Sequence, residues 1–482
     1  MKNLTIWLLA ILLSGCTSFA YTNKRIAPGV TYSGRASFEI KEDRGNNNVL
    51  VLLALSGGGS RAAYFSGSVM LRLQDVFEDI DLLKEIDLIS SVSGGSLPAA
   101  YYCISMDPEG FTTVPIKGAV NYSQLSSSLK TKVRYSENNR LLGFKGPMQP
   151  EDAQELSESL SDQKDDECIE KLQRLSQHKV RSNRPWNERT VKRLMARNYL
   201  YKWIGNWFWP TNVMKYWFTS YDRSDIMAQT FSDNLYDRRT FGYDLRFRDL
   251  NPERPYLIIN ATDATEKRND CDGSPKDFGE VFTFTYEDFK SQLSSSISRY
   301  QISRAVMASA AFPAVFNYMT LRDYCNRRYV HVFDGGNADN LGLKSIKKVI
   351  ALNRNKYKKV IVILVDSHVE AKGIDNKEYD PRSLLSYVLD MNMMDSFDSL
   401  LESNRKVLID EFKEDNTIKF WHIKFDDVKD PDLKKKLNKI PTNFNISKSK
   451  EKDHVTLIDR AAKDLISREN PKLKLIRKVL LD

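Results

Sequence analysis

The sequence predicts an α/β protein in which a mostly parallel sheet is covered by helices on both faces. Two observations lead to this fold class. Short, nearly continuous apolar runs alternate along the chain with longer segments that repeat apolar residues at helical spacing. Strands that are apolar along their whole length are typical of parallel sheets, because both faces of such sheets are buried. At 482 residues the chain is long enough for such a domain together with a large insertion.

Six apolar, β-rich runs are predicted as strands of this sheet: Val49–Leu55, Ile86–Val92, Tyr256–Asn260, Val281–Tyr286, Tyr329–Phe333 and Lys359–Val365. The alternating pattern over 417–425 predicts an outer strand. Apolar spacing predicts helices at Arg61–Phe77, Leu97–Ile104, Ser294–Ala308, Leu343–Leu352 and Val455–Ser467.

The N-terminus has the pattern of a secretion signal. Lys2 precedes the apolar stretch Leu4–Leu13, which has the length of a signal-peptide core and is too short to cross a bilayer as a helix. The stretch ends in Leu-Ser-Gly-Cys, which resembles the lipobox of bacterial lipoproteins. The resemblance implies that residues 1–15 are a signal peptide and that Cys16 is acylated, which would anchor the mature protein to a membrane. An ordinary secretory signal that contains a cysteine is the alternative.

The lipoprotein prediction places the protein in a bacterial cell envelope. In bacterial lipoproteins an aspartate after the acylated cysteine is associated with inner-membrane retention; Thr17 stands there instead, so we expect the outer membrane. The net charge of +9 favours anionic surfaces such as acidic lipids, and no basic run interleaves with a nucleic-acid-binding motif. The predicted partner is therefore a membrane, and we expect no nucleic acid.

The rest of the chain is divided by changes in its pattern. We predict a tether over 16–46, a main domain in two parts (47–107 and 246–370), an insertion over 108–245 and a C-terminal α/β extension over 371–482. The insertion is predicted to be a largely helical cap. Five of the seven tryptophans fall between Trp186 and Trp217. They either pack the cap onto the main domain or form a membrane-interface or acyl-chain-binding surface.

The cysteines after Cys16 match no zinc-ligand spacing, so no metal site is predicted. Cys271 and Cys325 lie in polar loops beside predicted strands, and an oxidising envelope permits a disulfide between them. The spacing alone leaves the connectivity open. Cys103 is interpreted as a buried small hydrophobic residue on the helix predicted at Leu97–Ile104.

The first candidate site is the turn Gly57-Gly58-Gly59-Ser60-Arg61, between the first strand and a helix. Such a turn brings backbone N–H groups to a bound anion at the positive end of the helix dipole. Phosphate is one candidate occupant, but the turn lacks the Gly-Lys-Ser/Thr of a phosphate-binding loop. The other is the oxyanion that forms in acyl transfer. Arg61 either holds the loop or attracts an anionic head group.

The second and third candidates are a serine and an aspartate that follow strands. Ser93-Gly94-Gly95 precedes a helix, as in a nucleophile elbow, with Gly95 small where strand and helix approach. In Asp334-Gly335-Gly336 the glycines allow the carboxylate to approach a neighbouring loop and accept the serine proton. The alternatives are a serine without a special role and an Asp-Gly turn. A Ser-His-Asp triad would need a histidine after the acid, for which His368 is the candidate.

Taken together and in this order, GGGSR, SVSGG and DGG resemble the patatin-like phospholipase family. The stretch Arg304–Phe316 is similar to the block that precedes the aspartate in that family. The resemblance implies a three-layer α/β/α acylhydrolase with a Ser-Asp dyad and no histidine. It makes Ser93 the nucleophile, Asp334 the base, Gly57, Gly58 and Gly59 the oxyanion hole, and Arg61 the basic position of the first motif. Ser56, Ala62 and Ser91 depart from the family's motifs.

These observations predict a membrane-anchored serine hydrolase that cleaves carboxylic esters of lipids, as a phospholipase or lysophospholipase does, without metal or organic cofactor. Two other functions stay open. An acyltransferase would use the same dyad but deliver the acyl group to another lipid or protein. A non-catalytic envelope lipoprotein would bind lipid through its aromatic cap. The sequence leaves the head group, the ester cleaved and the oligomeric state undetermined.

Overall fold

The computed structural model describes residues 21–29, 32, 34–41, 48–105, 111–112, 122–135, 141–145, 150–159, 186–236, 244–313, 315–368, 404–440, 446, 448–449 and 452–481. The predicted signal peptide, Cys16 and Cys168 lie outside these residues. Within the described ranges, no helix combines the length and the apolar character that crossing a membrane requires.

An eight-stranded sheet forms the centre of the molecule. Its strands are β1 (Val49–Leu55), β2 (Leu88–Val92), β3 (Tyr256–Asp263), β4 (Val281–Thr283), β5 (Met319–Asp323), β6 (Arg328–Asp334), β7 (Lys359–Asp366) and β8 (Ile418–Lys424). They lie in the order β5-β6-β3-β2-β1-β7-β8, and β4 pairs with β3. The pairs β3–β2, β2–β1, β1–β7 and β7–β8 are parallel. The pairs β5–β6, β6–β3 and β4–β3 are antiparallel.

Helices follow most of the strands. They are α1 (Gly59–Asp75), α2 (Ser96–Ile104), α3 (Ser127–Lys132), α4 (Pro150–Glu158), α5 (Glu188–Met195), α6 (Tyr199–Trp207), α7 (Pro210–Phe218), α8 (Arg223–Asn234), α9 (Tyr286–Leu293), α10 (Ile302–Ser309), α11 (Gly336–Asp339), α12 (Leu343–Asn353), α13 (404–414), α14 (Pro431–Leu437), α15 (His454–Leu465) and α16 (Pro471–Leu481).

The parallel strands are buried on both faces because their residues alternate between two cores. In β1 one core takes Val51 and Leu53, and the other takes Leu50 and Leu52. Helices α1, α2, α10 and α15 contribute to the first core, and α12 and α13 to the second. Because a sheet apolar on both faces must be covered on both, the result is three layers, α/β/α. The predicted fold class is confirmed.

Most of the predicted strands and helices are present within a few residues of their expected ends, including the outer strand over 417–425, which is β8. The helix predicted at Ser294–Ala308 is wrong in its first half, and only the part from Ile302 onward is α-helical. Helix α9 ends at Leu293, and Ser294 has a left-handed backbone with φ of 48°. Buried Ser295 then donates to the carbonyl oxygen of Lys24 at 2.8 Å, and α10 begins only at Ile302. The strand β5 was not predicted.

The described part of the insertion contains α3 to α8 and a three-stranded antiparallel sheet (111–112, 133–135 and 141–145) that was not predicted. Helix α8 is fixed to the main domain by a buried ion pair between Asp225 and Arg304 of α10, at 2.6 Å. The tryptophans of this region differ in exposure, and Trp203 and Trp207 are half-buried. Trp186 is buried against Tyr102, with ring centroids 4.7 Å apart, whereas Trp209 and Trp217 are exposed.

Cys271 and Cys325 form a disulfide with Cα atoms 5.4 Å apart. It joins the segment between β3 and β4 to the turn between β5 and β6. The sequence had left this connectivity open. Cys103 is fully buried on α2, as predicted.

Candidate active site

Ser93 lies in a tight turn between β2 and α2. Its φ of 48° is in the left-handed region, where a residue with a side chain is strained. A Cβ atom on Gly94 would lie 2.0 Å from the carbonyl oxygen of Gly59, and one on Gly95 would lie 2.6 Å from that of Ser56. Glycine is therefore required at both positions, because the backbone of the glycine loop passes directly beside the turn. The turn has the geometry of a nucleophile elbow.

The register of three neighbouring strands brings Ser93 and Asp334 together. Strand β3 lies between β2 and β6; Val92 pairs with Asn260, and Asp334 pairs with Ala261. The ends of β2 and β6 consequently meet on either side of β3. The Oγ of Ser93 donates a hydrogen bond of 3.0 Å to Oδ2 of Asp334.

The carboxylate of Asp334 is held by neutral donors on both oxygens. The amide of Gly336 donates to Oδ1 at 2.8 Å, and the Ser93 hydroxyl occupies Oδ2. A Cβ on Gly335 would lie 2.3 Å from the carbonyl oxygen of Asn260, so the turn is closed by close packing. Burial raises the pKa of Asp334 to about 6, while the hydrogen bonds from Gly336 and Ser93 lower it by less. Such a group is ionised at pH 7 but remains basic enough to accept a proton.

Two residues that were not predicted as functional, Ser309 and Asn260, hold the backbone of Ser93 in place. Its N–H donates to the hydroxyl of Ser309 at 2.8 Å, and this hydroxyl donates to the carbonyl oxygen of Asn260 at 2.6 Å. The side-chain amide of Asn260 in turn donates to Ser90 and Ser91 of β2. Ser309 belongs to the stretch Arg304–Phe316, whose similarity to the family block was the available signal.

The glycine loop lies directly against Ser93. A Cβ on Gly57 would be 3.3 Å from the Cβ of Ser93 and 2.2 Å from Oδ1 of Asn340. Gly58 and Gly59 have φ values of 135° and 58°, which side-chain-bearing residues rarely adopt. Gly59 begins the 17-residue helix α1, so the positive end of its dipole is at this loop.

The three glycines present different backbone groups to the site. The N–H of Gly57 donates to the carbonyl oxygen of Asn340 at 3.0 Å, so that amide is already engaged. The carbonyl oxygen of Gly57 accepts from the hydroxyls of Ser56, at 3.2 Å, and Ser367, at 3.1 Å. Because a trans peptide is planar, these bonds direct the N–H of Gly58 to the opposite side. Among the described residues the amides of Gly58 and Gly59 have no acceptor.

Among the described residues, neither Arg61 nor His368 forms a hydrogen bond with Ser93 or Asp334. The buried guanidinium of Arg61 donates to the carbonyl oxygen of Ile440 at 2.6 Å, which ties the start of α1 to the C-terminal part of the chain. This contact favours the interpretation that Arg61 holds the loop. The amide of His368 donates to Asp366 at 2.9 Å, and within the described residues His368 is not a hydrogen-bond partner of Ser93 or Asp334.

A family model for patatin-like phospholipases matches residues 53–347, more than half of the chain. The chain belongs to the patatin-like phospholipase family. The structure is also similar to the crystal structure of VipD from Legionella pneumophila, with 14% sequence identity, 94% of this chain and 72% of that chain covered, and a TM-score of 0.31. No curated protein matches the sequence at a significant level. Membership in the family supports lipid acyl hydrolase activity in general, with a lipid as substrate.

Proposed function

We propose that the protein hydrolyses a carboxylic ester of a membrane lipid with Ser93 as nucleophile and Asp334 as general base. The observation that carries this proposal is the hydrogen bond of 3.0 Å from Ser93 Oγ to Asp334 Oδ2. The base has a pKa of about 6 because it is buried. Both properties suit direct proton transfer without a histidine.

In the first half of the reaction, Ser93 Oγ attacks the ester carbonyl carbon as its proton passes to Asp334. The carbonyl oxygen becomes an oxyanion. When the tetrahedral intermediate collapses, the bond to the leaving alcohol breaks and Asp334 returns the proton to that alcohol. In the second half, water attacks the acyl-enzyme, Asp334 takes a proton from the water, and Ser93 leaves with the proton restored. The cycle consumes one water molecule and needs no cofactor.

The oxyanion hole in this proposal is the glycine loop, with the amides of Gly58 and Gly59 as donors. Gly57 contributes its small size, since any side chain there would collide with Asn340. Preorganised amide donors stabilise a developing oxyanion strongly, at about 3–4 kcal/mol for one donor. Arg61 supports the start of α1.

Three further glycines, Gly95, Gly335 and Gly336, hold Ser93 and Asp334 in position. Gly95 permits the close approach of the elbow to the loop. Gly335 allows the turn after β6 to pack against β3, and Gly336 orients the carboxylate of Asp334 through its amide.

The experiment is hydrolysis of a dissolved short-chain ester by purified Ser93→Ala protein. We expect the activity to fall at least about 10³-fold, because the nucleophile is removed. The matched control is Ser91→Ala, two residues earlier and on strand β2, whose hydroxyl donates to the carbonyl oxygen of Ile258 and not to the dyad. Wild-type rates from Ser93→Ala protein would refute the proposal. Product analysis with a lysolipid acceptor separates hydrolysis from acyl transfer.

The proposed place of work is the outer membrane of a bacterial envelope, with an acylated Cys16 as anchor. The sequence Leu-Ser-Gly-Cys after an apolar stretch supports it. Radioactive palmitate fed to expressing bacteria should label the wild-type protein and not Cys16→Ser. Equal labelling of both proteins would contradict lipidation at this residue.

A further inference from the structure

We propose that the helical hairpin α6–α7 is a membrane-docking surface that inserts its aromatic tip into an anionic lipid bilayer. This inference rests on the proposed function for its biological purpose, since docking would bring the site to lipid, but the docking itself can be measured without catalysis.

The turn of the hairpin has an unusual composition for an exposed position. Helix α6 ends at Trp207 and α7 begins at Pro210, and Phe208 and Trp209 between them are 75% and 62% exposed. Exposed turns ordinarily consist of Gly, Asn, Asp or Ser. The apolar surface continues along both helices, through Tyr201, Ile204, Met214, Trp217 and Phe218, all of which are exposed. Helical spacing places Tyr201, Ile204 and Phe208 on one face of the first helix, and Met214, Trp217 and Phe218 on one face of the second. A concentration of exposed large apolar side chains of this kind marks an interaction site.

The chemistry of the hairpin selects a lipid surface as its occupant. Trp, Tyr and Phe prefer the boundary between headgroups and acyl chains, where the apolar ring is buried and polar ring atoms stay hydrated. Residues 199–218 include Lys202 and Lys215 and contain no aspartate or glutamate. A cationic hairpin with an aromatic tip is complementary to anionic headgroups above an apolar layer.

A ladder of rings fixes the hairpin to the main domain. Phe316 contacts Trp203 with centroids 5.3 Å apart, Trp203 contacts Trp207 at 5.1 Å, and Trp207 contacts Tyr216 of α7 at 5.1 Å. The indole N–H of Trp203 donates to the carbonyl oxygen of Arg223 at 3.0 Å. The tip is therefore presented on a supported element.

The same ladder leads to the candidate active site. Phe316 follows Ala311, whose carbonyl oxygen accepts from the amide of Asp334 at 3.1 Å. Val315 and Tyr318, on either side of Phe316 in the sequence, are also exposed. A bilayer bound at the hairpin would thus lie against the segment that supports the base.

The test is flotation of the full chain with vesicles of phosphatidylglycerol and phosphatidylethanolamine. All proteins carry Ser93→Ala to prevent turnover and Cys16→Ser to remove the predicted acylation site. In Phe208→Glu/Trp217→Glu protein we expect partitioning onto vesicles to fall at least about tenfold, since two inserted rings are replaced by charges. The matched control is Leu352→Glu/Leu475→Glu, at residues 53% and 44% exposed on other helices, which should change partitioning less than about twofold.

A second measurement reports the two indole rings directly. Brominated lipids quench tryptophans that enter the bilayer, and the quenched fraction should fall in Trp209→Phe/Trp217→Phe protein. Absence of quenching from these two rings would overturn the proposal even if the chain floats through another segment. Equal flotation of the Phe208→Glu/Trp217→Glu and parent proteins, with no quenching, would also overturn it. If the parent protein self-associates without binding vesicles, and these substitutions abolish the self-association, the surface binds a second copy of the chain. That result would refute the membrane-docking proposal.

Discussion

Two buried aspartates end strands of the same sheet and differ in their surroundings. Asp334 ends β6, and within the described part of the chain its carboxylate accepts from two neutral donors, the hydroxyl of Ser93 and the amide of Gly336. Asp366 ends β7 and is paired with Arg405 and with Nε2 of His422, the latter at 2.9 Å. Burial raises the pKa of Asp334 to about 6. Burial also acts to raise the pKa of Asp366, but His422 and Arg405 outweigh it and hold that pKa well below its usual range.

The difference shows that a position at the end of a strand does not by itself make an aspartate a base. A carboxylate paired with a guanidinium is held in its ionised form and is a poor proton acceptor. A buried carboxylate with neutral partners has a raised pKa and can therefore accept a proton near physiological pH. Asp366 does hold structure next to the site, because the following Ser367 donates to the carbonyl oxygen of Gly57. One aspartate is thus suited to chemistry and the other to positioning the loop.

The largest expected effect comes from removing the proposed base. Asp334→Asn should lower kcat/KM for a dissolved ester about 10⁴-fold, because the amide cannot accept the proton of Ser93. Rates are measured at pH 8 with protein shown to be folded by circular dichroism. A loss smaller than tenfold would mean that another group acts as the base.

The stability of the two aspartate variants should change in opposite directions. The free energy of unfolding of Asp366→Asn should fall by about 3 kcal/mol, because Arg405 and His422 would face a neutral amide in a buried site. That of Asp334→Asn should rise by about 1–3 kcal/mol at pH 8, because the native pKa of about 6 exceeds the ordinary value of 3.8. Urea unfolding curves at pH 8 measure both changes.

The pH dependence of the Asp334→Asn gain provides the control. A carboxyl group with a raised native pKa stabilises the fold below its ordinary pKa and loses this contribution as the pH rises through about 6. The gain from asparagine should therefore shrink toward zero near pH 4. A gain that is equal at both pH values would show that it does not come from the charge.

The rate of ester hydrolysis by the wild-type protein should follow the ionisation of Asp334. We expect kcat/KM to rise about tenfold per pH unit below pH 6 and to level off above it, since only the carboxylate accepts a proton. A profile measured from pH 4.5 to 8.5 checks this. If the rate instead falls only around pH 3.8, the ordinary pKa of an aspartate, the base would not have the raised pKa that burial gives to Asp334.

The smallest effect is expected from removing the hydrogen bond between Ser367, which follows Asp366, and the glycine loop beside Ser93. Ser367→Ala removes one of two hydroxyl donors to the carbonyl oxygen of Gly57, and Ser56 still supplies the other. We expect kcat to fall about three- to tenfold with little change in KM, because the orientation of the Gly58 amide matters in the transition state. If KM rises while kcat stays constant, the contact serves substrate binding instead.

The sequence predicted the parts of the site that depend on local chemistry. Glycines 57–59, Ser93 and Asp334 each lie at or just after the end of an apolar strand, and tight turns restrict the residue types there. The same reasoning failed at Ser294, because apolar spacing continues across a residue whose backbone is left-handed. Strand β5 was missed because it has only five residues and lies at the edge of the sheet.

The supporting contacts depend on strand register and could not be predicted from one sequence. Ser309 lies 216 residues from Ser93, and Ser367 lies 310 residues from Gly57. His422 was predicted on an outer strand, but its pairing with Asp366 follows from the parallel register of β7 and β8. Single hydroxyl or imidazole groups carry no local pattern that shows which distant backbone they will meet.

Labelling of the protein with a fluorophosphonate probe tests the Ser93–Asp334 dyad most directly. The probe forms a stable bond with an activated serine, and peptide mass spectrometry identifies the modified residue. We predict a single labelled serine, Ser93, with a labelling rate that rises through about pH 6 and is strongly reduced in Asp334→Asn. Labelling of Ser93→Ala protein at the wild-type rate, or an unchanged rate in Asp334→Asn, would contradict the dyad.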